Sequence, residues 1–138
     1  MADQSSSLAQ RLGLDVLARQ FSRFLAVGAV TTIVHYGVLI ALVEALGAHP
    51  VLATTAGFLV AALLSYVLNR RYTFDHEPAF GAGLLKYYAA LSIGLLLNAG
   101  VMAALTQWGV HYVLAQVVAT GVALVWNFTA ARLVVFRS

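Results

Sequence analysis

The chain has 138 residues, of which 62% are hydrophobic and 9% charged, with 8 Lys and Arg against 5 Asp and Glu, and no cysteine. Soluble domains are about one-quarter charged, so this balance, with a mean hydropathy of +0.88, describes an integral membrane protein. It excludes disulfides, thiolate catalysis and Cys-based metal sites; the basic pI near 9.6 does not signal nucleic acid, because the cations are split among segment ends rather than gathered in one stripe.

Residues 1–7 are polar and Ser-rich and are expected to be unordered. Over 8–20, Leu8, Leu12 and Val16 recur every four residues, which suits a short interfacial helix with Ser6 or Ser7 as N-cap. A frayed leader fits the same composition. Together 1–20 make a cytoplasmic leader ahead of a membrane domain at 21–136. No cleavable signal peptide is expected, because 1–7 is uncharged apart from Asp3 and the first apolar stretch is too long for an h-region.

Four spans follow, at 24–46, 51–68, 84–105 and 113–135, each long enough for a hydrocarbon core of about 30 Å. The expected fold class is therefore all-α and polytopic. Pro50 suits the first turn of the second span, and Pro78, Gly81 and Gly83 are expected to break regular structure in the connection 70–83. Arg11, Arg19 and Arg23 precede the first span; Arg70, Arg71 and Lys86 fall between the second and third; Arg132 and Arg137 close the fourth. The connections 46–51 and 107–113 carry no Lys or Arg. Cytoplasmic loops concentrate these residues, so both termini are expected inside.

The two hairpins are related in sequence. Arg23, Phe24 and Leu25 align with Lys86, Tyr87 and Tyr88, which sets His35 on Asn98. After a one-residue slip, Gly47 and His49 align with Gly109 and His111, and Asn69, Arg70 and Phe74 with Ala131, Arg132 and Phe136. Copies of two spans each share one orientation, so a parallel repeat about an axis along the membrane normal is expected. Arg23, Arg70, Lys86 and Arg132 would then form a cationic ring at one depth, with Arg71 beside Arg70.

Asn69, Arg70, Arg71, Tyr72, Thr73 and Phe74 end the second span; Trp126, Asn127, Phe128, Arg132 and Phe136 end the fourth. With the basic-aromatic starts of spans one and three, this pattern resembles the GtrA-like family of small four-span membrane proteins, over about residues 20–136. The chain departs from the family at Ala131, where Asn commonly precedes the second Arg. The resemblance implies a bacterial cytoplasmic (inner) membrane protein that handles polyprenyl-phosphate-linked sugars for cell-envelope polysaccharide modification. It would either flip the lipid across the membrane or assist the glycosyltransferase that makes it. Implied partners are that lipid, membrane lipids and a membrane glycosyltransferase.

The residues themselves suit phosphate. Guanidinium presents a planar fork matched to phosphate oxygens, and an Asn amide donates without added charge. Candidate phosphate ligands are Arg23, Asn69, Arg70, Arg71, Lys86 and Arg132, although positive-inside bias alone also places basic residues there. His35 and Asn98 each lie twelve residues beyond a basic residue, about 18 Å deep at ~1.5 Å per residue. With Asn127, about 7.5 Å above Arg132, they are candidates for a sugar path, or for ties between helices. Thr31, Thr32, Thr54, Thr55, Ser92, Gln116 and Thr120 are expected to satisfy helix backbones or neighbours. Glu44, at the outer end of span one, is the only acid within or near a span, which disfavours a proton-coupled exporter. No enzyme, cofactor or metal site is expected. Small residues at four-residue spacing, such as Ala53, Gly57 and Ala61, suit close packing within the chain or across a homo-oligomer seam. The sequence also permits a reading as anchor of a glycosyltransferase, with 70–83, including Asp75, His76 and Glu77, as the docking loop.

Overall fold

A computed structural model describes residues 2–74 and 76–136. Asp75 of the expected docking loop and Arg137 of the charge pattern lie outside the described residues. The helices are α1 (Ala2–Leu46), α2 (Pro50–Leu68), α3 (Phe80–Gln107) and α4 (Tyr112–Ala130). Five-residue π-helical turns, Asn69–Thr73 and Ala131–Val135, extend α2 and α4. All four helices are long and apolar enough to cross a membrane, and no strand occurs among the described residues. The chain divides into two units, Met1–Asp75 and His76–Ser138, each a helical hairpin.

In the first hairpin, α1 runs for 45 residues without a break. That is about 68 Å at ~1.5 Å per residue, roughly twice a hydrocarbon core. Residues 2–7, expected to be unordered, and the separate helix expected at 8–20 are thus one continuous helix with the span, while Met1 lies outside the described residues. No Pro interrupts α1, and isolated glycines cost only about 1 kcal/mol each in a helix. Ser7 does not cap a helix; its hydroxyl donates to the Gln4 carbonyl at 3.0 Å.

The neutral end of each hairpin is a short turn with the same construction twice. Gly47 and Gly109 take φ of 63° and 88°, the left-handed conformation that ends a helix at little cost in glycine. Ala48 N–H donates to Leu42 O at 3.0 Å, and Val110 N–H to Leu105 O at 3.0 Å. His49 and His111 then cap α2 and α4, each Nδ1 accepting at 3.2 Å from the backbone N–H of Val51 or Val113. Pro50 occupies the first helical position, where its missing N–H removes no helix bond.

Helix packing follows the small residues. Ala53, Gly57 and Ala61 of α2 are buried, as are Ala90 and Gly94 of α3 and Ala115 and Ala119 of α4. At Gly57 the contact is with α1: a methyl group there would stand 2.8 Å from the His35 carbonyl oxygen and 2.6 Å from its ring Cδ2. The first hairpin's connection to α3 is shorter than expected. Gly81 and Gly83 lie inside α3 rather than breaking it, and Gly83 N–H donates to Ala79 O at 2.9 Å. Pro78 lies in the irregular stretch instead, whose described residues are Phe74 and 76–79.

Candidate functional site

At the basic end of the first hairpin the chain leaves α2 through the π-turn, closed by Phe74 N–H donating to Asn69 O at 3.1 Å. Five-residue spacing widens the turn, a geometry often found at functional positions. Phe74 folds back onto Phe24 of α1, ring centroids 6.4 Å apart and edge to face. Asn69 is fully buried; its Nδ2 donates to Ser65 Oγ at 3.3 Å and its Oδ1 accepts from Thr73 Oγ1 at 2.7 Å. Ser65, Asn69 and Thr73 are thus a polar ladder at four-residue spacing inside the turn. Asn69 faces no open surface. Asn69→Ala is expected to lower stability by about 1–2 kcal/mol, because Thr73 loses a buried acceptor. Thermal unfolding in detergent measures this, and wild-type stability would show that the ladder contributes nothing.

Around this turn the arginines separate. Arg70 is half-buried, with its guanidinium bonded to the side chain of the buried Tyr66. Arg71 is exposed, 5.7 Å from the centroid of the Tyr72 ring. Arg23, also exposed, reaches from α1 to donate through Nη1 to the Tyr72 carbonyl at 3.0 Å. That carbonyl is among those a helix end leaves without an internal partner. Arg23, Arg71, Tyr72, Ala26 and Val27 line an open groove of about 440 Å³. Among the described residues neither Arg23 nor Arg71 meets a carboxylate.

The second hairpin repeats the scaffold with different side chains. Phe136 N–H donates to Ala131 O at 2.8 Å, and Phe136 packs on Tyr87 at 6.3 Å, again edge to face. Ala131 fills the position of Asn69 and is equally buried. The amide moves one turn deeper, to Asn127 at the position of Ser65. Asn127 is half-buried and its Oδ1, enclosed against Gly94, has no hydrogen-bond partner among the described residues. An α-carbon of glycine offers only a weak C–H donor there. Arg132 is half-buried in the second π-turn, while Lys86 is exposed on α3.

Midway along the spans each hairpin holds one polar pair at the same repeat position. His35 Nε2 lies 3.1 Å from both Thr54 O and Thr54 Oγ1. The carbonyl contact is favourable only with the proton on Nε2. In the second hairpin Gln116 Nε2 donates to Asn98 Oδ1 at 3.4 Å and to Thr120 Oγ1 at 2.9 Å. His35 and Asn98, paired by sequence, are each tied to the adjacent helix of their own hairpin. The remaining hydroxyls behave as expected: Thr31 and Thr32 donate to Gly28 O, Thr55 to Val51 O and Ser92 to Tyr88 O.

Sequence reasoning missed the two π-turns, the groove wall of Ala26 and Val27, and Thr54 and Gln116 as partners of the mid-span pair. The four-residue spacing of Ser65, Asn69 and Thr73 was the available signal for the ladder. Nothing local announces a π-turn, because its extra residue is accommodated by Phe74 and Phe136 docking on α1 and α3.

Comparison with known proteins agrees with this architecture. The family description GtrA/DPMS, transmembrane domain matches residues 23–136. A bactoprenol-linked glucose translocase of Salmonella phage P22 is 26% identical over 121 residues, 88% of this chain and 98% of the relative. An uncharacterized membrane protein of Bacillus subtilis strain 168, YwcD, is 27% identical over 119 residues, 83% of this chain and 94% of the relative.

Proposed function

The chain belongs to the GtrA/DPMS transmembrane-domain family, and from that premise we propose that it translocates a polyprenyl-phosphate-linked sugar across the bacterial cytoplasmic membrane, for cell-envelope polysaccharide modification. Family and translocase relative both point to a carrier rather than an enzyme. The observation that carries the reading is the mid-span polar pair present in both hairpins, His35 with Thr54 and Asn98 with Gln116. Polar groups in hydrocarbon are costly, and two at one repeat position lower the cost of moving a hydroxylated sugar past them.

In this reading the basic ends face the cytoplasm and the phosphate is met by Arg23 and Arg71, which line the open groove, while Arg70, Lys86 and Arg132 add only a general attraction for anionic headgroups. Asn69 holds the turn that presents the arginines, so its part is positioning. Asn127, with an unpartnered buried oxygen one turn inside the second π-turn, supplies an acceptor for a sugar hydroxyl. The prenyl chain stays in lipid, and a second copy of the chain widens the path. The test is transbilayer movement of a labelled polyprenyl-phosphate sugar in proteoliposomes. The expected result is faster movement with the protein, lowered about 10-fold by His35→Leu with Asn98→Leu, the scale of one or two lost hydrogen bonds. Equal rates with and without protein overturn the proposal.

A second reading, a non-transporting anchor or regulator of a polyprenyl-phosphate glycosyltransferase, is favoured by the length of α1. Its first twenty or so residues extend beyond the span with Leu8 and Leu12 exposed, a surface suited to a partner helix. Co-purification with a transferase lost on deleting 2–18, with flipping unaffected, supports that reading.

A further inference from the structure

The two hairpins share a scaffold but differ at the groove, and we infer that the lipid phosphate is seated by the first hairpin alone, between Arg23 and Arg71. This inference rests on the reading of the protein as a handler of polyprenyl-phosphate lipids. The repeat makes the comparison position by position. Arg23, Ala26, Val27, Arg71 and Tyr72 correspond to Lys86, Ala89, Ala90, Leu133 and Val134. Two guanidiniums and an aromatic ring are replaced by one ammonium and two aliphatic side chains.

The first set is built for a phosphate. Arg23 spends one N–H on the Tyr72 carbonyl, which anchors the guanidinium at the groove it lines and leaves its other donors available to a ligand. Arg71 lines the same groove, its guanidinium carbon 5.7 Å from the centroid of the Tyr72 ring. Two guanidiniums lining one open groove offer planar forks that match the oxygens of a phosphate, whose charge they balance. Ala26 and Val27 give the groove an apolar floor, and Val30 and Ile33 continue exposed along the same face of α1, a track for a hydrocarbon tail. Head and tail chemistry are thus contiguous in the first hairpin.

The second hairpin has the tail chemistry without the head. On the matching face of α3, Ile93, Leu96, Leu97, Gly100, Val101 and Ala104 line an open groove of about 350 Å³ with no charged group. At its basic end the mate of Arg71 is Leu133, 52% exposed. Lys86 there is a single hydrated point charge, suited to general attraction of anionic headgroups.

The experiment is equilibrium binding of a polyprenyl phosphate to the full chain in nanodiscs, with inorganic phosphate and a short-chain alkyl phosphate as competitors. One lipid per chain is expected. Arg71→Gln should weaken binding about 10-fold, and Arg23→Gln with Arg71→Gln at least 30-fold, whereas Lys86→Gln should change it less than 2-fold. Lys86→Arg with Leu133→Arg, both at exposed positions, should raise the stoichiometry toward two. The alkyl phosphate should compete better than inorganic phosphate, which marks a lipid headgroup rather than free phosphate as the ligand; equal competition overturns the lipid assignment. Equal losses from Arg71→Gln and Lys86→Gln overturn the asymmetry while leaving the lipid reading intact. Absence of binding to the intact chain overturns both. Thermal unfolding of each variant separates lost contacts from lost fold, and Arg71→Gln alone, at an exposed side chain, keeps the test decisive if Arg23→Gln unfolds the turn.

Discussion

Gly57→Ala is expected to lower the stability of the protein by about 3 kcal/mol, the upper part of the range for overpacking a close contact. The added methyl meets the backbone carbonyl oxygen of His35 at 2.8 Å, an atom that cannot rotate away. Relief requires α1 and α2 to separate, which also pulls His35 from Thr54. Gly94→Ala offers the internal contrast. There the obstacle is the amide of Asn127, the far end of a flexible side chain, so a rotamer change suffices and about 1 kcal/mol is expected. Thermal unfolding of the two variants in the same detergent gives the comparison. Equal losses would show that backbone approach at Gly57 does not set the packing of the first hairpin.

Arg23→Gln is expected to slow transbilayer movement of the lipid-linked sugar by about 10- to 100-fold, the equivalent of one charged hydrogen bond of about 1.5–3 kcal/mol. Two contributions are lost together: a guanidinium facing the groove and the bond that closes the Tyr72 carbonyl. Arg23→Lys separates them. It keeps the charge but not the fork, so an intermediate rate is expected, as the Lys86 position of the second hairpin suggests. Rates are measured in proteoliposomes beside the unfolding temperature of each variant. A normal rate in Arg23→Gln would remove Arg23 from the ligand path.

Much of the architecture was legible because membrane helices announce themselves. Long apolar runs bounded by basic residues place the spans within a few residues of α2, α3, α4 with its π-turn, and the C-terminal end of α1, since a single segment in hydrocarbon satisfies its own backbone hydrogen bonds only as a helix. The repeat was legible too, through polar and basic positions that lipid-facing Leu, Ala and Val do not duplicate by chance. Gly47 with Gly109, His49 with His111 and Phe74 with Phe136 each have equivalent geometry in the two hairpins. The continuous α1 was less legible, because Ser-rich polarity at 1–7 reads as a loose leader and the recurrence of Leu8, Leu12 and Val16 as a separate interfacial helix. Helix propagation from a long, stable span overrides such weak local preferences.

By itself, then, the sequence determined the number of spans, the ends that bear charge, the doubling of the hairpin and the list of polar residues available for chemistry. These depend on composition and on position along the chain. Only the tertiary structure divided that list. Asn69 is buried in the ladder that holds a π-turn and Arg70 is half-buried on Tyr66, while Arg23 and Arg71 line an open groove; His35 and Asn98 are each bonded to the facing helix of their own hairpin. Adjacent residues of one basic run point in different directions as a helix end widens and an aromatic docks behind it. Which arginine meets a ligand is therefore decided by three-dimensional packing at Phe24 and Phe74, which no spacing along the chain encodes.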